Sequence, residues 1–266
     1  MSVPAPGLPS GYRLVHLAET QSTNADAMRI GLAGEQGPVW VVADRQTGGR
    51  GRSGRSWVSE PGNLFASLMI SSGCTPARAG QLSLVAGIAV LDAIREAGAI
   101  APGPALRLKW PNDILIGKAK TGGILVESSA RAGASGLLIV VGVGLNLVSA
   151  PPGLGRDATN LAAHGLALSP DRALCFLAGA MDAWLKTWNE GEGFDRVREA
   201  WLERAGPLGE PLTVNTGASP VEGRFAGLDG EGALLLALED GSERRFTYGD
   251  VTLQGTDADE ETKKED

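Results

Sequence analysis

Histidine and cysteine are scarce in this chain, with two of each in 266 residues. His16 and His164 stand far apart in unremarkable settings, which disfavours a Ser-His-Asp hydrolase and the clustered ligands of a zinc centre. Cys74 and Cys175 form no spacing motif and fit reduced thiols in a cytoplasmic protein better than a disulfide framework. No uninterrupted 18-residue apolar run occurs, so no membrane span is expected. Residues 1–11 lack Lys and Arg and are rich in Pro and Gly, a loose leader rather than a signal peptide. Positive charge is also in deficit: 24 Lys and Arg against 31 Asp and Glu leave −7, which argues against general nucleic-acid binding. Six of the acids and two lysines fall in DADEETKKED, so 256–266 reads as a solvated acidic tail.

What is present supports a real core, with 43% hydrophobic residues. Apolar runs predict strands at Tyr12–Leu17, Val39–Ala43, Leu64–Ile70, Leu106–Lys109, Ile114–Ile116, Gly123–Glu127 and Leu137–Leu147. Helical spacing predicts helices at Ala25–Leu32, Ala77–Ala97, Arg172–Trp188 and Phe194–Arg204. Strands and helices mix without regular βαβ alternation, which favours an α+β domain over 12–206. Over 207–255 short apolar runs alternate with Gly-rich turns, the pattern of a small barrel of about five strands.

Four segments carry chemistry. Gly49-Arg50-Gly51-Arg52-Ser53-Gly54-Arg55-Ser56-Trp57 concentrates arginine on a glycine backbone, suited to gripping an anion. It mimics a P-loop, but Pro61-Gly62 follows where a helix would have to begin, which excludes that reading. Lys109-Trp110-Pro111-Asn112-Asp113-Ile114 joins a cation, an aromatic ring and a carboxylate in a turn-forming stretch. Lys120-Thr121-Gly122-Gly123-Ile124-Leu125-Val126-Glu127 sets a lysine at a strand start beside two glycines. Gly142-Val143-Gly144-Leu145-Asn146-Leu147 fails the dinucleotide fingerprint, and its glycines let a planar ligand lie against the strand. Each segment alone is also explained as a solvated loop or a decorated turn.

In this order the four segments resemble the biotin protein ligases: GRGRSGRSW is similar to that family's GRGRxGRxW signature, and KWPND matches another of its motifs. Ser22-Thr23-Asn24 looks like its early STN motif, and the match covers about 12–165. The resemblance implies a mixed β-sheet flanked by helices, followed by a small SH3-like β-barrel. It also implies ATP-dependent activation of biotin to biotinyl-5′-AMP. Transfer to a lysine of a biotin carboxyl carrier domain follows. About a dozen residues precede the first strand, too few for the DNA-binding domain of some members, so no DNA binding is expected. Exposed sheet edges would allow a homodimer. Lipoate or octanoate ligases share the catalytic fold and form the main alternative; a non-enzymatic biotin-binding module is another.

Under this resemblance Arg52, Lys120 and Asp113 are the expected catalytic residues. Biotin contacts are expected from Ser22, Thr23, Asn24, Gln46, Gly49, Arg50, Gly51, Arg52, Lys120, Gly122, Leu125, Gly142 and Gly144. ATP or adenylate contacts are expected from Arg50, Arg52, Arg55, Trp57, Lys109, Asn112, Asp113, Lys120 and Asn146. Arg50 and Arg55 are expected to hold pyrophosphate or to order the loop, and Trp57 to pack behind the loop or near adenine. Asp113 could orient or deprotonate the acceptor amine, hold Mg²⁺, or cap a turn.

Overall fold

A computed structural model describes residues 7–98, 105–130, 136–151, 157–217 and 219–254. The acidic tail and the first six residues of the leader lie outside the described residues. The chain divides into two compact units between Ala205 and Gly206.

The first unit is built on a seven-stranded sheet: β1 (Arg13–Thr20), β2 (Val39–Gln46), β3 (Leu64–Ser72), β4 (Leu106–Lys109), β5 (Asp113–Ile116), β6 (Ala119–Ala130) and β7 (Leu137–Leu145). Their order is β1-β2-β3-β7-β6-β5-β4, with β1 parallel to β2 and every other pairing antiparallel. The sheet is therefore mixed, and its centre is the run of β-branched and aliphatic residues in β2, β3 and β7 that both faces bury.

On one face, helix α1 (Thr23–Leu32) packs over Val39, Val41, Met69, Leu138 and Val140 through Ala27. A Cβ on Gly31 would overlap Leu138, so glycine there sets how closely helix and sheet approach. The opposite face carries α3 (Leu82–Ala97), α4 (Pro170–Trp188) and α5 (Phe194–Leu202). Asp92 of α3 accepts from Trp184 Nε1 of α4 at 2.9 Å and from Nη2 of Arg204, just past α5, at 2.9 Å. The single helix expected over Ala77–Ala97 is two, a short α2 (Pro76–Ala79) and α3, parted at Gly80-Gln81. The stretch Pro76–Ala97 has the length and mean hydropathy (1.4) of a membrane span, yet 72% of its apolar window is buried inside the protein. It is a core helix wrapped by its neighbours, which accounts for its apolar circumference.

The second unit is a five-stranded antiparallel sheet of β8 (Pro211–Asn215), β9 (Val221–Leu228), β10 (Leu234–Ala237), β11 (Glu243–Phe246) and β12 (Asp250–Leu253), ordered β11-β10-β9-β8-β12. Leu212, Val214, Phe225, Leu234, Leu236, Phe246 and Val251 form its buried face. Asp229 closes the β9–β10 turn by accepting from the Glu231 and Ala233 amides at 2.8 Å each.

Candidate active site

The site builds on a glycine floor. Gly123 of β6 and Gly144 of β7 are register partners, and the absence of side chains there leaves room on the sheet. Trp57 fills part of that room. A Cβ on Gly144 would lie 2.5 Å from Trp57 Cε2, and one on Gly123 would lie 3.1 Å from Cζ3, so the indole lies directly on both. The Arg/Gly loop brings the ring there. Trp57 N donates to the Gly49 carbonyl (2.9 Å) and Gly51 N to Arg55 (2.7 Å), with Ser53 at the tip in a left-handed turn (φ 54°). Trp57 Nε1 is buried with no hydrogen-bond partner among the described residues.

A cationic cluster borders one end of the floor. Lys120 contacts Asp113 Oδ1 and stands 5.6 Å from the Trp57 ring centroid; Lys109 Nζ is 3.0 Å from Asp113 Oδ2. Burial by itself would raise the Asp113 carboxyl, but the Lys120 and Lys109 ammoniums outweigh it and hold it below the usual carboxylate range. Arg52 Nη1 reaches Asn112 Oδ1 (3.4 Å), and Asn112 is fixed in turn by donating to the Ile124 carbonyl (2.7 Å). The β5–β6 ladder slips between Ile114 and Leu115, leaving Thr121 as an extra residue. This bulge lets Lys120 and Gly123, three residues apart, turn toward the same face.

Holding Mg²⁺ was one of the roles left open for Asp113. Both of its oxygens face ammonium groups, and among the described residues no group of three or more His, Cys, Asp and Glu side chains is placed to hold a metal. The donor set does not fit a protein-held divalent ion.

Uncharged and acidic side chains meet at the other end of the floor. Gln46 Oε1 accepts from Thr23 N (2.9 Å), while Ser67 Oγ lies 2.6 Å from Asn24 Oδ1 and 2.8 Å from Thr23 Oγ1. Asn24 Nδ2 donates to the Leu125 carbonyl (3.2 Å) and to Glu127 Oε2 (2.8 Å). Any side chain at position 142 would overlap Asn24 Oδ1, so Gly142 makes room for this amide. Ser22 is buried at the N-cap of α1, yet its side chain makes no capping bond.

Residues 17–146 match the Biotin/lipoate A/B protein ligase family and residues 208–253 the Biotin protein ligase C terminal domain. A biotin–[acetyl-CoA-carboxylase] ligase from Paracoccus denitrificans is 41% identical over 228 residues, spanning 83% of this chain and 92% of that one. The corresponding ligase of Mycobacterium tuberculosis is 34% identical, over 86% and 85%. The chain belongs to the biotin protein ligase family. In structure it resembles the biotin protein ligase of Aquifex aeolicus in complex with biotin and ATP, with a TM-score of 0.73 and 28% identity over 91% of this chain and 98% of that one.

Within this biotin protein ligase the structure brings together Lys109, Asn112, Asp113, Lys120, Arg52 and Trp57 at one end, and Ser22, Thr23, Asn24, Gln46, Leu125 and Gly142 at the other. Three expected residues, Gly122, Arg55 and Asn146, fall elsewhere, and Arg50 stands at only one of its two expected ends. A Cβ on Gly122 would meet Ile114 Cδ1 and Leu145 Cδ1 at 3.0 Å, in the core on the α3 side, so Gly123 is the floor residue. Arg50 points to Glu127 (3.1 Å), away from the Lys120 cluster. Arg55 is exposed, with Nε donating to the Arg52 carbonyl (3.3 Å). Asn146 donates to the Thr159 carbonyl (3.0 Å), bracing the chain that pairs with the Lys120 backbone rather than facing the floor. Glu127 and Gly123 were read only as parts of the Lys120–Glu127 segment, Gly123 as floor together with Gly122, and Ser67 was not singled out. Alternation from Leu125 puts the first two on its face, whereas nothing local distinguishes Ser67.

Proposed function

We propose that this biotin protein ligase uses the floor to join biotin to ATP and then to a lysine of a carboxylase's biotin carboxyl carrier domain. In the first step a biotin carboxylate oxygen attacks the α-phosphorus. A new O–P bond forms, the bond to the β-phosphate breaks, and pyrophosphate leaves. In the second step the acceptor lysine, as a neutral amine, attacks the acyl carbon. A C–N bond forms, the C–O bond to AMP breaks, and the amine proton is lost.

The observation that carries this reading is the polarity of the floor, cationic at one end and hydrogen-bonding at the other, where the Glu127 charge is paired with Arg50. Biotin has the same polarity, with a carboxylate opposite a ureido ring. We assign Lys120 and Arg52 to the carboxylate and α-phosphate, where negative charge meets negative charge. Ser22, Thr23 and Gln46 take the ureido group, with Ser22 offering a hydroxyl that is not used to cap α1. Trp57 covers the intermediate against water. Asp113, held ionised between two lysines, suits a fixed counter-charge better than a base. The second unit and a cytoplasmic setting, which fits the Cys74 and Cys175 thiols, complete the proposal.

The test is biotin-dependent exchange of labelled pyrophosphate into ATP, with lipoate as competitor, followed by transfer to a carrier-domain lysine. Exchange with lipoate and not biotin would move the protein to the lipoate branch. Exchange with neither, by folded protein, would leave a binding module.

A further inference from the structure

Glu127 has no part in the steps above, and an acid beside a floor that receives two anions is unfavourable unless its charge is spent. The structure shows where it goes. Glu127 Oε2 accepts from Asn24 Nδ2 (2.8 Å), and both oxygens accept from Arg50 Nη2 (3.1 and 3.2 Å). The carboxylate thus joins the first turn of α1 to the Arg/Gly loop across the surface of β6. It lies four strand residues from Gly123, roughly 13 Å along β6 at the usual rise. That places it beyond reach of the Lys120 cluster and beside the uncharged end of the floor.

Arg50 stands between Gly49 and Gly51, whose backbones have no conformation of their own to hold. Backbone bonds from Trp57 to Gly49 and from Gly51 to Arg55 close the loop on itself, and two side-chain tethers fix it to the sheet. Arg52 reaches Asn112 at the cationic end, and Arg50 reaches Glu127 at the other. We infer that Glu127 is a positioning residue for the ureido end of biotin. It pins Arg50, and with it the Gly49–Gly51 backbone, over the ligand, and it orients Asn24 at the same time. This rests on the ligase reading of the site.

The test compares Glu127→Gln, Arg50→Gln and the double variant. The readouts are the biotin Kd by calorimetry, KM and kcat in pyrophosphate exchange, and the release rate of biotinyl-adenylate. Each single change should raise Kd and KM for biotin about fivefold, as expected for loss of a half-exposed ion pair, and speed release by a similar factor. The kcat should stay within about twofold, and the double variant should match the singles because one interaction is removed in all three. Unchanged Kd and release in both singles would overturn the assignment, as would additive effects or a loss confined to kcat. Should Glu127→Gln fail to fold, the exposed Arg50→Gln decides alone. A wild-type protein without biotin-dependent exchange would refute the ligase reading itself, a result separable from any variant's behaviour.

Discussion

Two glycine substitutions, one register position apart across a strand pair, separate the site from the scaffold. Neither Gly144 nor Gly122 has a left-handed φ, so alanine's backbone is compatible at both and the outcome turns on what its methyl meets. At Gly144 the methyl would sit 2.5, 2.7 and 2.8 Å from Cε2, Cζ2 and Nε1 of Trp57. Overpacking of this kind costs about 1–3 kcal/mol when the surroundings cannot move. Here they can, because the ring is carried by a surface loop and can swing off the floor. The strain therefore falls on loop closure and not on global stability. At ~1.4 kcal/mol per tenfold, closure should weaken about five- to 150-fold. Adenylate release in Gly144→Ala should accelerate by that factor, with melting within a degree or two of wild type. Gly122→Ala should do the reverse. Its methyl meets Ile114 and Leu145 at 3.0 Å and the Gly144 carbonyl at 3.1 Å, all inside the sheet. A loss of about 1 kcal/mol, or some 2–4 °C in Tm, is expected with adenylate release unchanged. Single-turnover release of labelled biotinyl-adenylate, with thermal melts of the same samples, reads both. If Gly144→Ala loses Tm while keeping the adenylate, Trp57 is not the roof and the face assignment is wrong.

Arg52→Ala should lower kcat/KM for adenylate formation by two to three orders of magnitude, the usual consequence of removing one charge-stabilising donor at about 3–4 kcal/mol; stopped-assay pyrophosphate exchange measures it, and a loss under tenfold would remove Arg52 from the reacting centre. Asp113→Asn leaves the Lys109 and Lys120 ammoniums buried without their counter-charge and should cost about 3 kcal/mol near neutral pH. Because the folded carboxyl is depressed below its unfolded value, this stability is fully present above the unfolded pKa of about 3.9 and is lost as pH falls through the lower folded value. Urea melts at falling pH should therefore keep the two proteins apart down to the unfolded pKa, the difference shrinking only below it. Ser22→Ala should weaken biotin binding about tenfold, as for one lost hydrogen bond, while changing stability by less than about 0.5 kcal/mol, since no capping bond is broken. Asn24→Ala, which breaks bonds to Ser67, Leu125 and Glu127, should lose both; calorimetry and melting distinguish the pair.

The strands that build the sheet were legible because both faces bury them, which leaves apolar runs such as Val39–Ala43 and, interrupted only by Ser67, Leu64–Ile70. Their ends were less so: β6 runs from Ala119 to Ala130, beyond the Gly123–Glu127 expected, because Ala119–Gly122 and Ser128–Ala130 include no large apolar side chain to mark a strand. Motifs placed most of the site, but not the direction in which each side chain points. Arg50 was expected at both biotin and phosphate, and what fixes its direction is Glu127, 77 residues away, which Asn24 meets across 103. No local pattern carries contacts at that distance.

The clearest case is Lys120-Thr121-Gly122-Gly123. Strict alternation puts Gly122 on the side of Lys120 and Gly123 on the opposite one. The structure reverses this, because Thr121 is inserted against β5 between the partners of Ile114 and Leu115. One extra residue flips the parity of everything after it, so Gly123, Leu125 and Glu127 share a face with Lys120 while Gly122 joins the core. The bulge is thus what places a cation, a glycine and a carboxylate on one surface, spaced along a single strand. Deleting Thr121 would restore alternation, and the register of β6 against β7 could then be kept only by turning Lys120 away from Trp57.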